Sequence, residues 1–259
     1  MNEKNLIDYY NKFNEDKRLK TKHGRVEYLT ALHYIKKYTK KRKNPSILDV
    51  GAGTGAYTVK LFEEGYNITA VELVKHNLKV IEKKNPNIKV INGNALNLSM
   101  FNNESFDIIL LFGPLYHLIS IEDKVKAVLE AKRVLKKGGY IFISYCANEY
   151  GIITHGFKDN YIKKSLDNNE IDSSFKIISK EDDLYSFVRI EDINYIRNKC
   201  NLKRVKILSQ DGPAEYLKKE INSMDEDTFN IFFNYHLKTC ERKELLGAGR
   251  HILDILKKE

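Results

Sequence analysis

The run Asp49-Val50-Gly51-Ala52-Gly53-Thr54-Gly55 constrains this chain more than any other stretch. It completes a short apolar segment, Ile47-Leu48-Asp49-Val50, and opens a helical pattern that extends to Glu64. A strand that turns into a helix through three alternate glycines needs a backbone free of Cβ atoms at the turn. The first turn of the helix then offers unpaired N–H groups to whatever lies above it. In an open α/β sheet, the carboxyl end of such a strand is where nucleotide-like ligands sit. Spacing alone leaves the ligand open. Gly51-x-Gly53-x-x-Ala56 also satisfies a dinucleotide-binding pattern, with Glu72 about 20 residues on, where a ribose-binding acid is expected.

The surrounding pattern places this turn in an alternating chain. Further strands are expected at 68–72, 88–91, 106–112, 140–144, 203–208 and 251–256, and the fourth, Phe106 to Phe112, is almost continuously apolar, as a strand covered on both faces should be. Helix faces are read from Val74, Leu78 and Ile81, from Ile121, Val125, Val128 and Leu129, from Ile190, Ile193 and Ile196, and from Phe229, Phe232, Phe233 and His236. Strands alternating with helices imply βαβ crossovers and a mostly parallel sheet. The first 43 residues read as a helical leader that ends in the basic run 40–43, before Asn44-Pro45 stops it. Residues 147–189 carry no strong period and read as an inserted lid. The expected organisation is thus a leader or cap at 1–43, a ligand-binding domain at 44–146 and 190–259, and a lid or substrate segment at 147–189.

Composition bears on partners. Lys and Arg number 44 against 35 Asp and Glu, a formal charge of +9 that raises nucleic acid as a partner. However, 35 of the 44 are Lys, accompanied by 24 Asn and 27 Ile, a mixture typical of AT-rich coding bias. No run approaches the ~18 apolar residues of a membrane span, and Met1-Asn2-Glu3-Lys4-Asn5 has no secretory core, so a cytoplasmic location is expected. Cys146, Cys200 and Cys240 are far apart and no Cys-x-x-Cys or His-Glu-x-x-His occurs, so no metal site is expected.

The ordered series Ile47–Gly55, Val71-Glu72-Leu73, Gly93-Asn94-Ala95, Phe106-Asp107-Ile108-Ile109 and Val134–Tyr140 resembles the motifs of class I S-adenosylmethionine-dependent methyltransferases over about 100 residues. Outside it, Tyr9-Tyr10, Arg18-Leu19, Arg25-Val26-Glu27, Gly113–Leu118 and Glu244–Ala248 resemble marks of a bacterial small-molecule-type branch. The resemblance implies a Rossmann-like, seven-stranded, mostly parallel sheet with helices on both faces, and S-adenosyl-L-methionine as cofactor, leaving S-adenosyl-L-homocysteine. It implies that Asp49 sits under the methionine end, that Gly51, Ala52, Gly53 and Gly55 form the close-approach loop, and that Glu72, beside Leu73, accepts the ribose hydroxyls. Asn94 and Ala95 would border the adenine, and Phe112 and Gly113 the transferable methyl group. Tyr10 and Arg25 would belong to a flap over the cofactor's carboxylate.

Methyl transfer from a sulfonium needs an aligned, dry acceptor more than it needs a base. His117 and Tyr116, just after the fourth strand, are the candidates for shaping or deprotonating the acceptor; packing of the loop is the competing role. His236 is expected to be a hydrogen-bonded core residue, and His251 to have only a surface or packing role. The expected activity is methyl transfer to O, N or C of a small-molecule acceptor by a monomer or homodimer. The alternatives are an RNA or DNA methyltransferase, a nicotinamide-dependent dehydrogenase, or a non-catalytic nucleotide-binding module on the same fold.

Overall fold

The computed structural model describes residues 3–10, 15–40 and 42–259; residues 1–2, 11–14 and 41, to which the leader and basic-run readings extend, lie outside them. Helices α1 (Glu3–Tyr10), α2 (Glu15–Lys20) and α3 (Lys22–Thr39) come first. The alternating core follows as β1 (Ser46–Val50), α4 (Ala56–Glu63), β2 (Asn67–Glu72), α5 (Lys75–Lys84), β3 (Lys89–Asn92) and β4 (Phe106–Leu111). Next are α6 (Pro114–His117), α7 (Ile121–Val134) and β5 (Leu135–Cys146). Then come α8 (Asn148–Gly151), a π-helical stretch (Ile152–Lys158), α9 (Ile162–Asp167), α10 (Ile190–Lys199) and β6 (Lys203–Ser209). Helices α11 (Lys218–Ser223) and α12 (Glu226–Thr239) and strand β7 (His251–Lys257) close the chain.

The seven strands form one sheet in the order β3-β2-β1-β4-β5-β7-β6. Strands β1 to β5 pair in parallel, and β7 runs antiparallel between β5 and β6. Successive residues of β4 explain the two covered faces. Ile109 and Leu111 join a core with Val128 and Ala131 of α7 and Ile193 of α10. Ile108 and Leu110 join another, with Ile35 of α3 and Leu61 of α4. Strand order reverses between β1 and β4, which opens a crevice at their carboxyl ends. No helix among the described residues is long and apolar enough to cross a membrane.

Local chemistry sets the helix starts. Ser120 Oγ accepts the Asp123 N–H at 3.1 Å, and Asp225 Oδ1 accepts that of Thr228 at 2.7 Å. Asn44, at φ 46°, turns the chain out of the leader into β1. The segment 147–189 contains more structure than its pattern indicates. Its helices are too short to display a period, and it is pinned instead by the fully buried Asn148. The Asn148 amide donates to Phe175 O at 2.9 Å and accepts from Ile177 N at 2.8 Å.

Asp254, fully buried on β7, is held by a two-pronged bond from Arg204 on β6, with Nε and Nη2 each at 2.8 Å. Removing Arg204 leaves that carboxylate without its counter-ion inside the sheet. Arg204→Ala should therefore lower stability by about 3–5 kcal/mol in urea unfolding, while Arg204→Lys should recover only part of the loss because it cannot form the fork.

Candidate active site

The glycine turn, the ends of β2 and β4, α1 and the start of α6 enclose a cleft of about 980 Å³, its open mouth included. Its floor is the turn itself. Gly51 (φ 74°) lets the turn pass the Pro114 ring, which a Cβ would approach to 2.7 Å. Gly55 (φ 84°) begins α4, where a Cβ would lie 2.8 Å from Ile81; Gly55 thus packs the turn against α5 and does not line the cleft. Gly53 differs. Its φ of 55° demands glycine, yet nothing lies within 4 Å of where a Cβ would be, so the missing side chain leaves open space on the cleft.

Glu72 holds the turn in place. Its Oε2 accepts the Gly53 N–H and its Oε1 the Val74 N–H, both at 2.8 Å. Burial raises its pKa, with those two backbone bonds opposing the rise. Asn77 Nδ2 adds a longer bond to Oε1 at 3.5 Å, so of the carboxylate's roughly four lone-pair sites one, on Oε2, remains for a ligand. Asp49 sits below, 2% exposed, with Oδ2 accepting the Thr58 hydroxyl at 2.6 Å. Burial pushes its pKa up to about 7, with the Thr58 bond opposing and the Glu72 charge adding to the rise. Among the described residues, no cation forms an ion pair with it.

Ala52, Leu73, Asn94, Ala95, Phe112 and Gly113 all border the cleft, as do Tyr10, Tyr116 and His117. Arg25 does not. It turns away to Glu226 at 3.0 Å and stacks over Phe229, because its place on α3 faces α12 and not the cleft. The α3 residue that does reach the cleft is Glu27, two positions on. Arg18 Nη1 donates to Glu27 Oε2 at 2.7 Å, and His251 Nδ1 lies 3.5 Å from it and 2.8 Å from Asp211 Oδ2. Burial of Glu27 is outweighed by Arg18, His251 and Arg250, which hold its pKa down to about 2. His251 is desolvated too, but Glu27 and Asp211 bring it up to about 10. Glu27, Asp211 and His251 lie close enough to share a metal ion, and among themselves they form an ion-pair cluster in which His251 Nδ1 bonds Asp211 Oδ2. Nothing in the sequence near His251 signals this role, since its partners are 40 and 224 positions away.

His117 is buried and fixed from both sides. Its Nδ1 faces Leu184 O at 2.7 Å, which requires a proton there, so Nε2 accepts from the Tyr10 hydroxyl at 2.8 Å. Burial lowers its pKa to about 4; the Leu184 bond opposes this, and Lys124 and Arg250 add to it. His117 is thus a neutral acceptor that orients a tyrosine, with little basicity to offer. Around it stand Tyr185, 5.2 Å away ring to ring, and Tyr116, at 4.8 Å. His236 has the core position expected of it, with Nε2 donating to Gln210 O at 3.2 Å.

Comparisons with known proteins agree with this geometry. A family model described as a methyltransferase domain matches residues 48–143. No curated protein sequence matches the chain. Among solved structures, a Thermotoga maritima S-adenosylmethionine-dependent methyltransferase, described as a possible histamine N-methyltransferase, superposes with a TM-score of 0.61 at 22% identity over 99% of each chain. A Methanosarcina mazei S-adenosylmethionine-dependent methyltransferase gives 0.58 at 15% identity, over 87% of this chain and 96% of its own. Geranyl diphosphate C-methyltransferase from Streptomyces coelicolor A3(2), in complex with S-adenosyl-L-homocysteine, gives 0.57 at 11%, over 90% and 79%. The sheet order and the cleft at its switch point therefore belong to a Rossmann-like methyltransferase fold. Residues 48–143 are thus similar to the methyltransferase-domain family, and the solved structures that share the fold include S-adenosylmethionine-dependent methyltransferases.

The two buried histidines should titrate at opposite ends of the pH range. The depressed pKa of His117 means that its contribution to stability is complete above the ordinary 6.5 and is lost as pH falls toward about 4. The raised pKa of His251 means that its contribution is complete below 6.5 and is lost as pH rises through about 10. Imidazole NMR should find His117 neutral and His251 protonated at neutral pH; equal charge states on the two rings would contradict this arrangement.

Proposed function

We propose that this chain transfers the methyl group of S-adenosyl-L-methionine to an O, N or C nucleophile of a small-molecule acceptor. The observation that carries the cofactor part of this reading is Asp49, a buried carboxylate at the foot of the glycine turn with no cationic partner among the described residues. A ligand bearing positive charge relieves that burial, whereas the pyrophosphate of a dinucleotide would add a negative charge beside it. This favours a sulfonium- and ammonium-bearing cofactor over a nicotinamide one, although the glycine spacing admits both.

In this reading Glu72 accepts from the ribose at the site that remains on Oε2, and the open side of Gly53 gives the cofactor backbone-close contact. Asn94 and Ala95 border the base. Tyr57 and Phe112, with ring centres 4.8 Å apart, form an apolar wall. When bound, the cofactor supplies a strongly activated methyl group. The work left to the protein is alignment and exclusion of water, and effective molarity of this kind can supply ~7–11 kcal/mol. Tyr10 and Leu6 of α1 reach over the cleft, and the Tyr10 bond to His117 ties that helix down. We assign His117 a positioning role through Tyr10 and not the role of general base, because its one free lone pair is already committed and weakly basic.

A small acceptor suits the enclosing elements. Residues 182–185 meet α1 above the cleft: Asn5 Nδ2 donates to Asp182 O at 3.4 Å and Tyr185 Oη to Tyr9 Oη at 3.1 Å. The lid role of residues 147–189 rests on this contact. The Thermotoga relative's possible histamine acceptor and the Streptomyces relative's geranyl diphosphate are both small molecules, which supports the same class here.

Affinity for S-adenosyl-L-methionine should depend on Asp49 ionisation. A cationic ligand binds the charged carboxylate better, so affinity should rise with pH up to about 7 and fall by as much as about tenfold per pH unit below it. Calorimetric titration on either side of neutrality should show this slope in the wild type and a flat profile in Asp49→Asn; a flat wild-type profile would exclude the role. A second titration concerns Glu72→Ala, which removes the acceptor of two backbone N–H groups as well as the ribose contacts. It should weaken S-adenosyl-L-homocysteine binding by at least about tenfold. Tighter binding of NAD than of either sulfur cofactor would move the reading to a dehydrogenase.

A further inference from the structure

Arg250 immediately precedes β7, and its carbonyl accepts the Ala147 N–H at 2.9 Å, just beyond the carboxyl end of β5. Its side chain is therefore rooted on the same sheet edge as the glycine turn. The guanidinium lies 5.9 Å from the ring centres of both Tyr150 and Tyr185. Tyr185 in turn packs 5.2 Å from His117 and 5.9 Å from Tyr116, two residues of the cleft wall. One aromatic ring thus separates Arg250 from the candidate active site.

The bonding of this arginine is incomplete. Among the described residues, no acceptor lies within hydrogen-bond distance of its side chain. Its ion-pair partner, Glu215 Oε1, is 4.0 Å away and is shared with Arg18 at 3.8 Å and His23 at 3.7 Å. Aromatic faces attract a guanidinium without consuming its N–H groups, which lie in the plane of the fork and suit a two-oxygen anion. The side chain is 23% exposed. Lys124 and Arg250 both disfavour protonation of the neighbouring His117.

We propose that Arg250, framed by Tyr150 and Tyr185, binds an anionic group of the methyl acceptor, a carboxylate or a phosphate. This rests on the small-molecule methyltransferase reading above and adds to it the charge of the substrate. It makes Arg250 a specificity residue that holds the acceptor by its anionic end while the nucleophile faces the cleft.

The test uses the full chain saturated with S-adenosyl-L-homocysteine and two matched pairs of probes, benzoate against benzamide and phenyl phosphate against phenol, titrated calorimetrically. At least one anionic probe should bind about tenfold or more tightly than its neutral partner. Preference for benzoate identifies a carboxylate and preference for phenyl phosphate a phosphate. Arg250→Gln should erase the gap and leave S-adenosyl-L-homocysteine affinity unchanged. Arg250→Lys, which keeps the charge without the fork, should retain only part of it. If Arg250→Gln disturbs cofactor binding, the Lys variant decides: a full gap there overturns the proposal. So does equal binding of charged and neutral probes, a gap that survives in Arg250→Gln, or no binding of any probe to a chain that still binds S-adenosyl-L-homocysteine. Failure of the wild type to bind S-adenosyl-L-homocysteine would instead strike the methyltransferase reading, and the proposal with it.

Discussion

A carboxylate at the end of β2 holds the site together. Glu72 leaves the sheet buried, and its two oxygens satisfy the N–H groups of Gly53 and Val74, one on the glycine turn and one at the start of the next helix. Those N–H groups belong to backbone that cannot join a ladder, and leaving them unpaired in a buried place would cost about 1–3 kcal/mol each. Glu72 thereby converts a turn with three positive-φ glycines into a fixed surface. It also gathers the residues around it. Gly51 N and Ala52 N both bond Val71 O, and Gly93 N bonds Glu72 O, so three loops converge on the end of one strand.

Above this fixed floor the roof is assembled from distant parts of the chain. Among the described residues, helix α1 and residues 182–185 are joined by polar bonds and a group of aromatic rings. Tyr10 and His117 are 107 positions apart, and Leu184 completes the chain from the other side. Such contacts are fewer and more exposed than those of the sheet, and segments of this kind open at lower free energy than the core. On the proposed function, a floor that holds its shape and a roof that opens would suit a reaction in which the cofactor must enter and the transfer must proceed in a dry site.

This division explains what could be read in the sequence. The strands were legible because β1 and β4 are covered on both faces and are therefore largely apolar, and because glycine and proline mark their ends. The floor was legible because it is local: the turn at 49–55, Glu72 and residues 94–95 lie close along the chain. The roof was not. Arg25 was drawn to the cleft by its chemistry, but its place on α3 directs it to Glu226 and Phe229, and Glu27 takes the inward position. His251 carries no local signal either; only the fold brings it to Asp211 and Glu27 and makes it cationic.

The excess of positive charge also resolves by residue type. The formal +9 is an excess built mainly of lysine, the residue that an AT-rich coding bias inflates. The arginines are few and are placed individually. Arg18 bonds Glu27, Arg25 Glu226, Arg42 Asp107, Arg133 Glu130, Arg189 Glu149, Arg204 Asp254 and Arg242 Glu244, while Arg197 bonds Asn198. A planar five-donor fork loses less freedom per bond than a lysine, so each such position reflects geometry and not composition. Against that background Arg250 is the exception: its side chain has two tyrosine faces but no hydrogen-bond acceptor among the described residues. On the proposal above, the charge that bears on acceptor choice is a single guanidinium at the sheet edge and not the lysine-rich surface. A partner selected by one such group is a small anion-bearing molecule, whereas a nucleic acid would call for a row of phosphate contacts.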